Sequence, residues 1–153
     1  MVKIVDKRIA HNFTWGPLLI IGITVNILGV VLCIHKEPWL LNQIPNEVLL
    51  QTSFSILFSQ ETNIGLPQFL TTIYRFFGLW LLTTGSIIIC YVYVTRLGTK
   101  VARNSIYFVI TATLIAIYYL IFSYLPSSTL MPILHFLTLC LVLSVFCSRS
   151  LPN

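Results

Sequence analysis

Residues 69–95 read FLTTIYRFFGLWLLTTGSIIICYVYVT, from Phe69 to Thr95, and hold a single charge, Arg75. A helix of that length reaches about 40 Å at ~1.5 Å per residue, more than the roughly 30 Å hydrocarbon core of a bilayer. An open strand would leave its backbone polar groups unpaired in lipid, so the run predicts a transmembrane helix, tilted or projecting beyond the bilayer.

Three further apolar runs lie on either side, from about Trp15 to His35, Ser105 to Leu125 and Thr129 to Ser148. The first has a basic lead-in (Lys3, Lys7, Arg8) like that of a signal peptide. Its apolar run is too long, and no small-residue cleavage site follows Cys33, so an uncleaved span is expected. Composition agrees. The chain has 153 residues, of which 57% are hydrophobic and 8% charged, with a mean hydropathy of +0.91. A soluble domain carries about 25% charged residues, and a short chain cannot hide so much apolar surface inside itself. A soluble globule, a disordered chain and a coiled coil are excluded. The expectation is an all-α integral membrane protein: one domain over residues 1–153, a four-transmembrane-helix bundle.

Orientation follows from the cations. Lys3, Lys7 and Arg8 precede the first span, Arg96, Lys100 and Arg103 follow the second, and Arg149 follows the fourth. All seven fall on one side of the four-span plan. The long loop 36–67 has only Lys36, against Glu37, Glu47 and Glu61. The positive-inside rule then places both termini in the cytoplasm (N-in/C-in), and the expected location is a bacterial or archaeal inner membrane or the endoplasmic reticulum. This topology keeps the sequon Asn12-Phe13-Thr14 out of the lumen, so glycosylation at Asn12 would contradict it. The net charge of +5 sits beside span ends, where it meets anionic headgroups, and does not indicate nucleic-acid binding. Trp15, Trp39, Tyr74, Tyr91, Tyr93, Tyr107 and Tyr124 near span ends form an interfacial belt.

Loop 36–67 is itself apolar and punctuated by Pro38, Pro45 and Pro67. Asn46 is placed to cap a helix from Glu47 to about Phe58. The alternation of Ser53 and Ser55 with Phe54, Ile56 and Phe58 fits a strand about equally well. An amphipathic outer segment is expected, on the outer leaflet or folded as a lid over the bundle.

Polar groups inside spans are costly and therefore informative. No Asp or Glu lies in any span, which excludes proton-coupled transport and carboxylate-based catalysis there. Asn26, Arg75, Tyr119 and His135 each lie in the outer half of a span, which suggests one buried polar layer. Small residues at helical spacing mark close helix contacts. Gly22, Asn26 and Gly29 share a face of the first span, as do Arg75, Gly78 and Gly85 of the second and Ala112, Ala116 and Tyr119 of the third. These faces are expected to pack inward, with Arg75 bonding to Asn26, a tyrosine or a free carbonyl; snorkelling to the headgroups is the alternative for Arg75.

Cys33, Cys90, Cys140 and Cys147 form no Cys-x-x-Cys pair and read as packing residues. No metal site is expected. His35 and His135 raise haem b ligation across the bundle, but His35 ends a helix beside Lys36 and reads better as interfacial. No nucleophile elbow, phosphate loop or paired carboxylates can be found.

The run Tyr74-Arg75-Phe76-Phe77-Gly78-Leu79-Trp80-Leu81-Leu82, with Gly85 after it, resembles the second helix of bacterial DoxX-like proteins. Its Arg75-x-Phe77-Gly78-x-Trp80-x-Leu82 pattern is also similar to one in the ergosterol-biosynthesis scaffold family. Both resemblances imply a non-catalytic four-helix membrane component. The expected function is an accessory, scaffold or assembly subunit of a membrane complex, partnered by another membrane protein or a second copy. The alternative is a small lipid-, quinone- or solute-handling protein anchored on the layer around Arg75. No cofactor is expected beyond a lipid or quinone, and an enzyme is the weaker expectation.

Overall fold

The structure, a computed structural model, describes residues 2–125 and 128–151, with side chains from residue 8 onward. Among these it is helical throughout, with no strand. The helices are α1 (Val2–Ile34), α2 (Gln43–Leu50), α3 (Phe54–Ser59), α4 (Leu66–Thr95), α5 (Lys100–Tyr124) and α6 (Met131–Ser148). Four of them, α1, α4, α5 and α6, are long and apolar enough to cross a membrane. Their cores match the four apolar runs. The difference lies at the start: residues 2–14, which precede the first apolar run, continue α1. Thr14, Pro17, Leu18, Ile21 and Gly22 form its buried stripe, which begins one residue before Trp15. Pro17 lies inside this helix and leaves the Phe13 carbonyl without its usual donor.

Helix α1 is the central element. It packs along α4 on one side and α6 on another, while α5 rests on α6. The two contacts differ in kind. Along α1–α4 the backbones touch. A Cβ added to Gly29 would lie 2.7 Å from the Gly78 carbonyl oxygen, and one added to Gly85 would lie 2.7 Å from that of Gly22. Only glycine permits such an approach. Along α5–α6 the contact is made by larger side chains. Tyr107 donates to the Ser144 carbonyl (3.1 Å), and the hydroxyls of Tyr118 and Thr138 lie 3.1 Å apart.

The four-residue turn between α4 and α5 puts two consecutive non-glycine residues, Arg96 (φ 48°) and Leu97 (φ 52°), in the left-handed region. That region costs a side chain on the order of 1 kcal/mol or more. What holds the turn is visible. Leu97 is fully buried, its N–H donates to Thr95 Oγ1, and its carbonyl accepts from Arg103 Nη1 at 3.2 Å. The Arg96 guanidinium lies over the rings of Trp15 (5.5 Å) and Tyr93 (5.2 Å), within cation–π range. Arg8, Arg96, Lys100, Arg103 and Arg149 all lie toward this end of the bundle, the basic end.

The opposite, loop end carries the segment between α1 and α4. The long helix and the strand expected there are both replaced by two short helices. Gln51 turns left-handed (φ 53°), and Ser53 caps α3 by accepting from the Ile56 N–H. Asn46 is not a cap. It lies inside α2 and donates to the Tyr74 hydroxyl (2.8 Å) and the Trp39 carbonyl (3.3 Å). Glu47 takes a capping role instead, with Oε1 accepting from Gln43 Nε2 and from the Phe54 N–H, both at 2.9 Å. The Gln43 bond first, then the Phe54 bond, hold its carboxyl below the ordinary value. Phe54 and Phe58 of α3 stack on each other, and Trp39 meets Phe58 edge-on. Asn42 Oδ1 ties the segment to the α5–α6 turn, accepting from Ser128 Oγ, the Thr129 N–H and Thr129 Oγ1 at 3.0–3.2 Å. The segment is thus folded down onto its own helices as a lid.

Candidate functional site

Two glycine pairs set the register of the α1–α4 seam, Gly22 against Gly85 and Gly29 against Gly78. Each pair is seven residues from the next, about two turns, so the antiparallel helices keep one face together along the seam. Between the pairs sits Asn26. Its Oδ1 is 2.6 Å from where a Cβ on Gly85 would be, and its side chain meets Ser86 Oγ at 3.5 Å, the outer limit of a hydrogen bond. Asn26 is half-buried and Ser86 exposed. A shallow recess of about 410 Å³ opens beside them on α4, lined by Leu82, Thr83, Ser86, Ile87 and Cys90.

Of the two expectations for Arg75, bonding within this seam or snorkelling outward, the first does not fit: its side chain is exposed. The register explains why. Cys33 Sγ reaches the Arg75 carbonyl at 3.6 Å, which puts Arg75 level with the last turn of α1. Helix α1 ends at Ile34, so no further turn remains to cover the guanidinium. Among the described residues the guanidinium has no hydrogen-bond or ion-pair partner. Arg75 and Ser86 are eleven residues apart, about three full turns, and so lie on the same side of α4. With Thr83 and Cys90 they make one polar edge.

The four residues of the expected layer are not brought together. Asn26 and Arg75 belong to the α1–α4 pair and His135 to α6. The His135 ring lies 5.8 Å from that of Tyr118, not Tyr119. Tyr119 is 66% exposed, and Ala112 and Ala116 are exposed with it. Helix α5 instead packs through Ile106, Ile110, Leu114, Tyr118 and Ile121. Ala112 stands two residues past Ile110, about 200° around the helix. Small residues indicate the packing face only where backbones touch, and α5 meets α6 through large side chains. His35, the other histidine of the haem expectation, accepts the Glu37 N–H on Nδ1 at 3.2 Å and sits at the loop end. No group of three or more His, Cys, Asp or Glu able to hold a metal occurs among the described residues.

Two polar features escaped sequence reasoning. Thr14, Tyr107 and Ser144 join α1, α5 and α6: Ser144 Oγ donates to the Thr14 carbonyl and lies 3.0 Å from Tyr107 Oη. Thr14 and Ser144 are fully buried. Arg103, counted as a loop cation, is 5% exposed and bonded to the α4–α5 turn. A tyrosine just inside an apolar run, or an arginine just before one, gives no signal of its partner, which comes from another helix or from a turn. Searches of protein-family models, curated proteins and solved structures return no match to this chain.

Proposed function

We propose that the chain is an integral membrane protein with both termini cytoplasmic, acting as a non-catalytic accessory or assembly subunit whose partner docks on the polar edge of the α1–α4 seam. One observation carries this. Halfway along the two most closely packed helices, the Asn26 amide and the Ser86 hydroxyl reach each other only at 3.5 Å and open sideways. In hydrocarbon an amide left with unmet donors and acceptors is costly, and a neighbouring transmembrane helix supplies the missing partners. Thr83 and Cys90 give that helix a small-residue surface to approach, and Arg75 offers it a charge near the loop end. The basic end, with seven of the nine cations expected there, supports the orientation.

The alternative, a lipid or quinone site anchored on one layer of Arg75 and His135, has less support because those residues lie on separate helix pairs. The resemblance to DoxX-like and scaffold families is in keeping with a non-catalytic component.

Purification from native expression in a mild detergent, followed by mass spectrometry, tests the proposal. A stoichiometric membrane-protein partner or a defined homo-oligomer is expected. Asn26→Leu should release it while leaving helicity and monodispersity unchanged. A lone monomer from the unmodified chain refutes the proposal.

A further inference from the structure

The α5–α6 contact leaves a groove. It encloses about 370 Å³ and runs from Arg149, past Val145, Val142 and Leu141, to Thr138 and Tyr118. Its two ends differ chemically. At one end the Tyr118 and Thr138 hydroxyls lie 3.1 Å apart, and Thr138 also donates to the Leu134 carbonyl at 2.8 Å. Those groups are satisfied, so an occupant there needs no polar atom. At the other end stands Arg149, exposed, its guanidinium without a partner among the described residues. The Tyr107–Ser144 bond fixes the register between the two helices. Five residues on from Ser144, Arg149 comes level with the first turns of α5, where exposed Lys100 lies. The mouth therefore carries Arg149, with Lys100 at its level; of the four acids, Glu37, Glu47 and Glu61 are at the opposite end of the bundle, and Asp6 is in α1, not in the two helices that line the groove.

A slot that is apolar along its length and cationic at its mouth fits an amphiphile with an anionic head. Arg149 and Thr138 are eleven residues apart, about 16 Å along the helix, close to the roughly 15 Å depth of one leaflet's hydrocarbon. We infer that the α5–α6 groove binds one acyl chain of an anionic phospholipid of the cytoplasmic leaflet, with its phosphate on Arg149. The inference rests on the membrane reading above, though not on a partner at the α1–α4 edge.

The test uses the full chain purified in a non-ionic detergent and titrated, under native mass spectrometry, with dioleoyl phosphatidylglycerol or dioleoyl phosphatidylcholine. One phosphatidylglycerol should be retained about fivefold more strongly than phosphatidylcholine, the weight of one cation near an anionic headgroup. Arg149→Gln should remove that preference, and Arg149→Lys should keep it. Val142→Trp, at an exposed position that lines the groove, should block retention of either lipid. Raising the salt concentration on the unmodified chain should reduce phosphatidylglycerol retention and leave phosphatidylcholine unchanged, a readout that needs no variant to fold. Equal retention of the two lipids, or unchanged retention by Arg149→Gln or by Val142→Trp, overturns the inference. Extraction of the chain from cell membranes by alkaline carbonate would instead show that the membrane reading itself fails.

Discussion

The α1–α4 seam makes a sharp prediction because two glycines of one helix have opposite surroundings. A Cβ on Gly29 would lie 2.7 Å from the Gly78 carbonyl oxygen and 2.8 Å from both Leu82 N and Leu82 Cγ. Ordinary contact begins near 3.4 Å, so the shortfall is about 0.7 Å, and most of it is against backbone, which cannot rotate away. The helices must separate by a comparable distance, and a gap of roughly 0.5–1 Å forfeits a quarter to a half of each contact along the seam. Overpacking of this kind costs about 1–3 kcal/mol. Gly16, on the same helix, has no atom within 4 Å of its added Cβ. There alanine should be neutral or stabilise by up to about 1 kcal/mol through helix propensity, and by less where the unfolded state in detergent stays helical. Reversible unfolding in mixed micelles of non-ionic detergent and dodecyl sulfate, followed by tryptophan fluorescence, measures both variants. Gly29→Ala should unfold at lower dodecyl sulfate fraction than the parent, and Gly16→Ala should not. Because Gly29 and Gly78 oppose each other, the double variant should cost less than the sum of the single ones. If Gly29→Ala is as stable as Gly16→Ala, the backbone contact on which the seam rests is absent.

Two other predictions concern the loop end. Asn42→Ala removes the acceptor of the buried Ser128 hydroxyl and of the part-buried Thr129 N–H, which costs about 1–3 kcal/mol. Faster hydrogen exchange and proteolysis should appear across residues 36–65, with the α1–α4 seam unaffected. Glu47 should confer a pH dependence on α3. Its folded pKa is lowered, so its contribution is complete above the ordinary value of 4.5 and is lost as the pH falls through the lower, folded value. Protection of the Phe54 amide should drop in that acidic window, and Glu47→Ala should remove the protection at neutral pH as well.

What the sequence revealed and what it hid divide along a physical line. The spans were legible because each is a continuous apolar run, a property of one segment alone. The glycines of α1 and α4 were legible because close approach demands small residues on both partners, and Gly22, Gly29, Gly78 and Gly85 carry matching seven-residue spacing. The face of α5 was not, because Ala112 and Ala116 look like Gly22 and Gly29 to a rule that counts small side chains. The helix packs instead on its opposite side, where Tyr107 and Tyr118 find hydroxyl partners on α6. Arg75 stayed between two readings for a different reason. Its place on the helical wheel is beside Gly78, but its burial depends on where another helix stops, and α1 stops at Ile34. The loop segment depended on single polar atoms. Asn42, Asn46 and Glu47 each found a partner distant in sequence or across a turn, which periodicity cannot register.

Close packing and the exposed polar edge have a common origin. Glycine pairs bring the axes of α1 and α4 close, and the missing side chain of Gly85 leaves the space that the Asn26 carboxamide fills. Asn26 Oδ1 occupies the space a Cβ on Gly85 would need, and from there the carboxamide faces Ser86. The position of Asn26 at the edge is therefore a consequence of Gly85 having no side chain. Gly85→Ala should disturb two things at once, the backbone contact with Gly22 and the placement of the amide that the partner is proposed to meet. Ser86→Ala should disturb only the second. If a partner docks through this edge, Ser86→Ala should weaken its retention with unfolding unchanged, and Gly85→Ala should weaken both. Loss of the partner from Gly85→Ala alone would trace docking to the seam's geometry, and the hydroxyl of Ser86 would then have no part in it.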